Sequence, residues 1–247
     1  MIQLPIALQA YSLRNIYDGN PLEALKTARK AGYTGVEFYG MHFQAEFYPA
    51  LLRETGLACA GWHTPIEALE DDFESVLRRN LLLGNRYVCV PWVNAPTADE
   101  WKKFADRLNA IAEKLAPYGI RTGYHNHAHE FQPVDGLLPW DIVAENTLPQ
   151  VILQLDTGNA ASGGADVPAV LEKYPGRSQS IHFKPYSAAE KFAPAIGADD
   201  LPWEKILDFC EKRGNTEWIV VEYEEKNDPE KGIAQSLAAL HKLRPRG

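Results

Sequence analysis

Short apolar runs alternate with longer segments of helical periodicity from one end of this chain to the other, and most of the runs turn polar at their last residues. The runs predict strands at 6–11, 35–39, 58–62, 87–91, 120–125, 151–155, 179–183 and 218–222. Between them the 3.6-residue pattern predicts helices over 21–31, 45–55, 66–83, 98–116, 140–145, 167–174, 202–213 and 229–243. Asn20-Pro21 supplies a cap and a first-turn proline, and Gly32, Gly56, Gly84, Gly119 and Gly214 follow helical patterns where helices end. Strict strand–helix alternation argues an α/β fold with parallel strands. Eight such units in 247 residues fit a single closed (β/α)8 barrel, a TIM barrel spanning 1–247. An open doubly wound sheet is disfavoured, because neither GxGxxG nor GxxxxGK[ST] is present.

A closed barrel matters because it aims the ends of its strands into one mouth. The polar ends here are rich in metal-ligand side chains. GYHNHAHEF (123–131) offers His125, His127, His129 and Glu130; LDTGNA (155–160) offers Asp156; SIHFKPY (180–186) offers His182 and Lys184; IVVEYEE (219–225) offers Glu222. Two-residue alternation puts Val220, Glu222 and Glu224 on one strand face, and likewise Ile152, Gln154 and Asp156, and Ser180, His182 and Lys184. Polar groups on an inward face are costly unless paired or metal-bound. His125, Asp156, His182 and Glu222 together suit one divalent metal ion, Mn²⁺, Co²⁺, Zn²⁺ or Fe²⁺. Three of them have an ordinary alternative: Asp156 as a turn cap, Glu222 as an ion pair with Lys184, His182 as a core histidine. The other strand ends add Gln9, Tyr11, Glu37, His63, Trp92 and Asn94. Of these, Tyr11, Glu37, His63 and Trp92, with His127 and Lys184, are the candidates for substrate contact: aromatics suit the apolar faces of sugars, and the polar groups suit hydroxyls or a carbonyl.

Composition narrows the class. Hydrophobic residues make up 45% and charged residues 23%, as in an ordinary globular enzyme, and the formal net charge of −8 argues against nucleic acid as a partner. The three cysteines have no CxxC spacing and read as buried thiols. No apolar run is long enough to span a membrane. The first residues lack a basic segment leading into an apolar stretch, so the expected address is cytoplasmic, although a trimmed export signal would leave the same sequence.

Together with AGYTGVEF (31–38), HFK (182–184) and VVEYE (220–224), these motifs resemble the sugar isomerase/epimerase family with xylose-isomerase-like barrels, which includes ketose 3-epimerases, hydroxypyruvate isomerases and inosose dehydratases. The resemblance runs the length of the chain. It implies one metal ion held from strands five to eight, with Asp156, His182 and Glu222 as three ligands. The fourth departs from the pattern: the family usually places a glutamate on strand five, and this chain offers His125. A proton shuttle between two glutamates is thereby in doubt, and Glu130, His125 or His127 is left to act opposite Glu222, with Lys184 polarising a carbonyl or holding a hydroxyl. The related apurinic endonucleases with three zinc ions would require more ligands than seven histidines and this acidic chain offer. The implied function is a metal-dependent isomerase or epimerase that abstracts a proton alpha to a carbonyl of a small-molecule sugar. A lyase or dehydratase acting on a keto-sugar or keto-glycoside is the alternative, and a non-catalytic sugar-binding barrel the second. Homodimers are common in such a family, so a homodimer is a possible partner state, although nothing in the helices here demonstrates an interface.

Overall fold

The computed structural model describes residues 4–40 and 44–243; residues 1–3, 41–43 and 244–247 of the expected 1–247 domain lie outside them. Eight strands are present: β1 Ile6–Gln9, β2 Gly35–Tyr39, β3 Ala58–His63, β4 Tyr87–Val90, β5 Arg121–His125, β6 Ile152–Gln154, β7 Ser180–Phe183 and β8 Trp218–Val221. They form one parallel sheet in the order β6-β5-β4-β3-β2-β1-β8-β7. The two ends of that order meet through a parallel bridge between Asp156 and His182, with His182 N donating to Leu155 O at 2.9 Å. The result is the expected (β/α)8 barrel, nearly closed, with helices in every strand-to-strand connection.

Local chemistry explains the boundaries. The helix Pro21–Ala31 starts at Asn20, whose side chain accepts from Glu23 N, and stops at left-handed Gly32 with φ 110°. Thr97 and Glu100 form a reciprocal capping box before Ala98–Leu115. β1 ends at Gln9 rather than at Tyr11, because the Gln9 side chain accepts from Tyr11 N and starts the 3₁₀ turn Ala10–Leu13. The single helix expected over 66–83 is two, Ile66–Asp71 and Phe73–Leu82, broken where Asp72 adopts φ −126° and ψ 39°. Leu69 and Val76, buried on either side, are seven positions apart, about two helical turns. The apolar period therefore continued across the break and concealed it. Two short helices were unforeseen, Arg14–Tyr17 and Thr157–Ser162.

The barrel interior changes character from bottom to top. Outward strand residues such as Val36, Phe38, Trp62 and Phe183 pack under the helices. Inward, Ala7, Ala60 and Val220 form one small apolar cluster, and Tyr87, Cys89 and Ile152 another, with Trp218 packed against both. Above them the inward residues turn polar: Gln9, Glu37, His63, His125, Gln154 and His182 are all buried. Space for this polar tier comes from a register shift between β2 and β3. Val36 pairs with Cys59 but Glu37 pairs with Gly61, so β3 carries one extra residue. A Cβ at Gly61 would collide with the Glu37 carboxylate. Among the described residues, no helix is long and apolar enough to cross a membrane.

Gly61→Ala is accordingly expected to lower folding stability by about 1–3 kcal/mol, as overpacking of a tight core does. Urea denaturation measures it, and an unchanged midpoint would show that the barrel floor has slack.

Candidate functional site

At the C-terminal ends of β5 to β8, His125, Asp156, His182 and Glu222 come together. One ligand-type atom from each lies within 4.8 Å of the other three, and all four residues are buried. Each is placed by its own strand end. His125 is the last residue of β5, His182 lies within β7, Glu222 follows β8, and Asp156 sits two residues beyond β6. Asp156 does cap the following turn, as its sequence context allowed: Oδ1 accepts from Asn159 N at 2.7 Å. That leaves Oδ2 facing His182 Nδ1 at 3.8 Å, His125 Nε2 at 3.9 Å and Lys184 Nζ at 4.0 Å. Asp156 Oδ2 is buried with no hydrogen-bond partner among the described residues, and so is His125 Nδ1. Unsatisfied buried acceptors are costly. Two nitrogens and two carboxylates around such an orphaned oxygen are a donor set that could hold a divalent metal ion. A second grouping, His63, His125 and His182, overlaps the first. It is the poorer candidate, because His63 Nε2 is already 2.8 Å from Gln154 Oε1 and the group contains no carboxylate.

The charges are set by burial and by their neighbours. Burial alone would raise Glu222, but Lys184 and His182 outweigh it and hold the carboxyl well below its ordinary value. Burial likewise opposes charge on His182, yet Glu37 and Glu222 raise its pKa to about 10. Asp156, buried and beside ionised Glu222, is pushed up to about 7 against the pull of Lys184. His125 and His127 are lowered, first by burial; His125 falls well below 6.5 and His127 to about 4. Both imidazoles are therefore neutral near pH 7.

A cavity of about 320 Å³ opens over this cluster, lined by Gln9, Tyr11, Tyr39, Gly40, His63, Pro65, Pro91, His125, His127, Glu222 and Glu224. Tyr11, 40% exposed, stands at its rim against Tyr39, their rings 5.3 Å apart. Trp92, 54% exposed, packs edge-on against His127 at 4.8 Å and lies outside the lining.

Trp92 is therefore not among the lining residues expected to contact substrate, and three further expected roles need correction. Glu37 does not line the cavity; it is buried beneath the cluster, 2.5 Å from His182 Nε2. Lys184 is also outside the lining, its ammonium taken up by Glu224 at 2.7 Å, Glu222 at 3.2 Å and Asn159 Oδ1 at 3.2 Å. The ion pair weighed for Glu222 thus exists beside the ligand cluster. Glu130 does not join the cluster either. It turns to the outer side of the barrel, where it accepts from the Tyr124 hydroxyl and, at 2.7 Å, from His127 N. Sequence reasoning missed Asn126, whose Oδ1 accepts from Asp156 N at 2.7 Å, and Asn159, which joins Lys184 to Asn126 O. Their signal was only proximity, since Asn126 lies between two histidines and Asn159 follows Asp156 by one turn.

Residues 25–243 match the family described as xylose isomerase-like TIM barrel. The chain is 27% identical to the rhizopine catabolism protein MocC of Rhizobium meliloti, over 89% of this chain and 79% of that protein. It is 29% identical to an inosose dehydratase of Bacillus licheniformis over 58% of this chain, spanning 53% of that relative's length. Among solved structures, a sugar phosphate isomerase/epimerase from Parabacteroides distasonis superposes with a TM-score of 0.86 at 23% identity, covering 99% of this chain and 96% of that one, a likeness of fold.

Burial raises Glu130 to about 7, partly offset by its bonds from Tyr124 and His127. The folded state therefore holds this proton where the unfolded chain releases it, and stability falls as pH rises from about 4.5 to 7. Glu130→Gln is expected to flatten that part of the profile in thermal melts taken between pH 4.5 and 8. A slope identical to wild type would contradict it.

Proposed function

The chain belongs to the xylose isomerase-like TIM barrel family, and on that footing we propose a metal-dependent sugar isomerase or epimerase that abstracts a proton alpha to a carbonyl. The observation that carries this reading is the buried Asp156 Oδ2, unpartnered among the described residues, beside three further ligand side chains below an open cavity. The names of the relatives agree in kind: one is a sugar phosphate isomerase/epimerase and one an inosose dehydratase.

His125, Asp156, His182 and Glu222 would hold Mn²⁺, Co²⁺, Zn²⁺ or Fe²⁺, which when bound would polarise the substrate carbonyl and offset the charge of an enediolate. Glu222 reaches the cavity as an ionised carboxylate oriented by Lys184 and His182, and to it we assign the proton transfer from carbon. Lys184 acts one step back, holding Glu222 and Glu224 in place. His127 also lines the cavity, neutral near pH 7, and can accept or return a proton there. Tyr11 stands where a sugar ring can pack its apolar face. Reprotonation on the other face gives an epimer, and proton return to the neighbouring carbon gives an isomer.

A second reading, elimination of a beta oxygen from a keto-sugar or keto-glycoside, is favoured by the wall that β3 and β5 contribute. His63, His125 and His127 line it, and none of them is the glutamate that a two-carboxylate shuttle would use. An imidazole that takes a proton becomes an acid able to pass it to a departing oxygen.

Protein purified without chelator is expected to hold about one equivalent of a transition metal, lost in His182→Ala, by elemental analysis. Ketoses and keto-glycosides incubated with the loaded enzyme in D₂O should exchange the alpha proton, read by NMR. Glu222→Gln should slow that exchange by roughly 10²–10⁴-fold. Release of the beta substituent would select the elimination reading; wild type with neither metal nor exchange would sink both.

A further inference from the structure

Glu37 is a buried carboxylate within the barrel that the chemistry above leaves without a task. It lies on β2 below the ligand cluster, fully buried, and Gly61 opposite it is kept free of a side chain. Leaving an ionised carboxylate in such a place costs several kcal/mol unless its oxygens are well partnered. They are. Gln154 Nε2 donates to Oε1 at 2.8 Å and Gln9 Nε2 to Oε2 at 2.7 Å. Oε2 also faces His182 Nε2 at 2.5 Å and His63 Nε2 at 3.1 Å.

A carboxylate only accepts, so each ring nitrogen that faces it must carry a proton. For His182 one proton, on Nε2, points down to Glu37; Nδ1 faces the Glu222 carboxylate at 2.9 Å and Asp156 at 3.8 Å, so without a metal it carries the second proton, the one a metal would displace. For His63 the same nitrogen meets a second acceptor, Gln154 Oε1 at 2.8 Å, which again places the proton on Nε2 and the lone pair on Nδ1. The amide of Gln154 is itself fixed, since its Nε2 also donates to Ser180 Oγ at 2.8 Å. The network thus has one self-consistent hydrogen-bonding pattern, and Glu37 is its centre.

We propose that Glu37 is a positioning residue of the metal site. By accepting from Nε2 of His182 and of His63 it fixes the ring orientation of both, the tautomer of His63, and the tautomer His182 would adopt once Nδ1 gives up its proton to a metal. His182 then presents Nδ1 to the ligand set, and His63, which lines the cavity, keeps a lone pair on Nδ1. This rests on the metal-centre reading above. Carboxylates behind metal-binding histidines commonly act in this way, and losing one typically costs 10–100-fold in metal affinity.

The test is Zn²⁺ affinity by chelator competition, together with long-range ¹H–¹⁵N spectra of the histidine rings, on wild type, Glu37→Gln and His182→Ala. Wild type with Zn²⁺ is expected to show His63 and His182 protonated at Nε2. Glu37→Gln should bind Zn²⁺ about 10–100-fold more weakly and lose the single-tautomer signature in its folded fraction. A purely structural role would lower the melting temperature and leave the ring spectra alone. Should Glu37→Gln fail to fold, the wild-type spectrum still decides, because a proton on Nδ1 of His63 or of Zn²⁺-loaded His182 overturns the proposal. If wild type binds Zn²⁺ and His182→Ala does not, while Glu37→Gln binds like wild type, only the role of Glu37 fails. If wild type binds no metal, the metal-centre reading falls as well.

Discussion

Lys184 Nζ, buried, stands 2.7 Å from Glu224, 3.2 Å from Glu222 and 4.0 Å from Asp156, and the upper half of the barrel depends on this one ammonium. Carboxylates in a protein interior are expensive unless a cation and hydrogen bonds match them. Here Lys184 matches the outer ones and His182 bridges the inner ones, Glu222 and Glu37. Burial would discharge both cations; instead the surrounding carboxylates keep them protonated. Among the described residues the carboxylate left short is Asp156, whose second oxygen has no donor, beside His125 Nδ1, which also has no partner. That local shortfall marks where a divalent cation would complete the site.

The polar tier has room because several inward positions around it carry small residues. Ala7, Ala60, Gly61 and Gly123 leave room inside the barrel, and at Gly123 a Cβ would run into the Ile152 backbone. The extra residue in β3 puts Gly61 beside Glu37 while His63 still reaches the cavity. Packing and chemistry are therefore not separable here, because a larger side chain low in the barrel would push against the groups that orient the histidines.

Histidine at the end of β5 changes the electrostatics of the ligand set. With His125, the four candidate ligands carry two formal negative charges rather than the three a glutamate would give. A divalent ion among them would be neutralised and not over-neutralised, which leaves it the stronger Lewis acid toward a carbonyl. His125 also gives the cavity an imidazole at the end of β5.

Much of this was legible in the chain. Strand–helix alternation, glycines after helices and polar strand ends determined the barrel and singled out His125, Asp156, His182 and Glu222, because a two-residue period fixes which side chains point inward. Distances and partners were not legible. Glu37 and Glu130 looked like site carboxylates. Yet one is held under the cluster by Gln9, Gln154, His63 and His182, and the other is turned outward by Tyr124. Each outcome depends on residues tens of positions away or on the path of a loop. The break at Asp72 was hidden because the apolar period ran through it. Sequence determined which groups could meet at the mouth of the barrel. Only the closed tertiary structure decided which of them do, since burial, register and the supply of donors act between strands rather than along them.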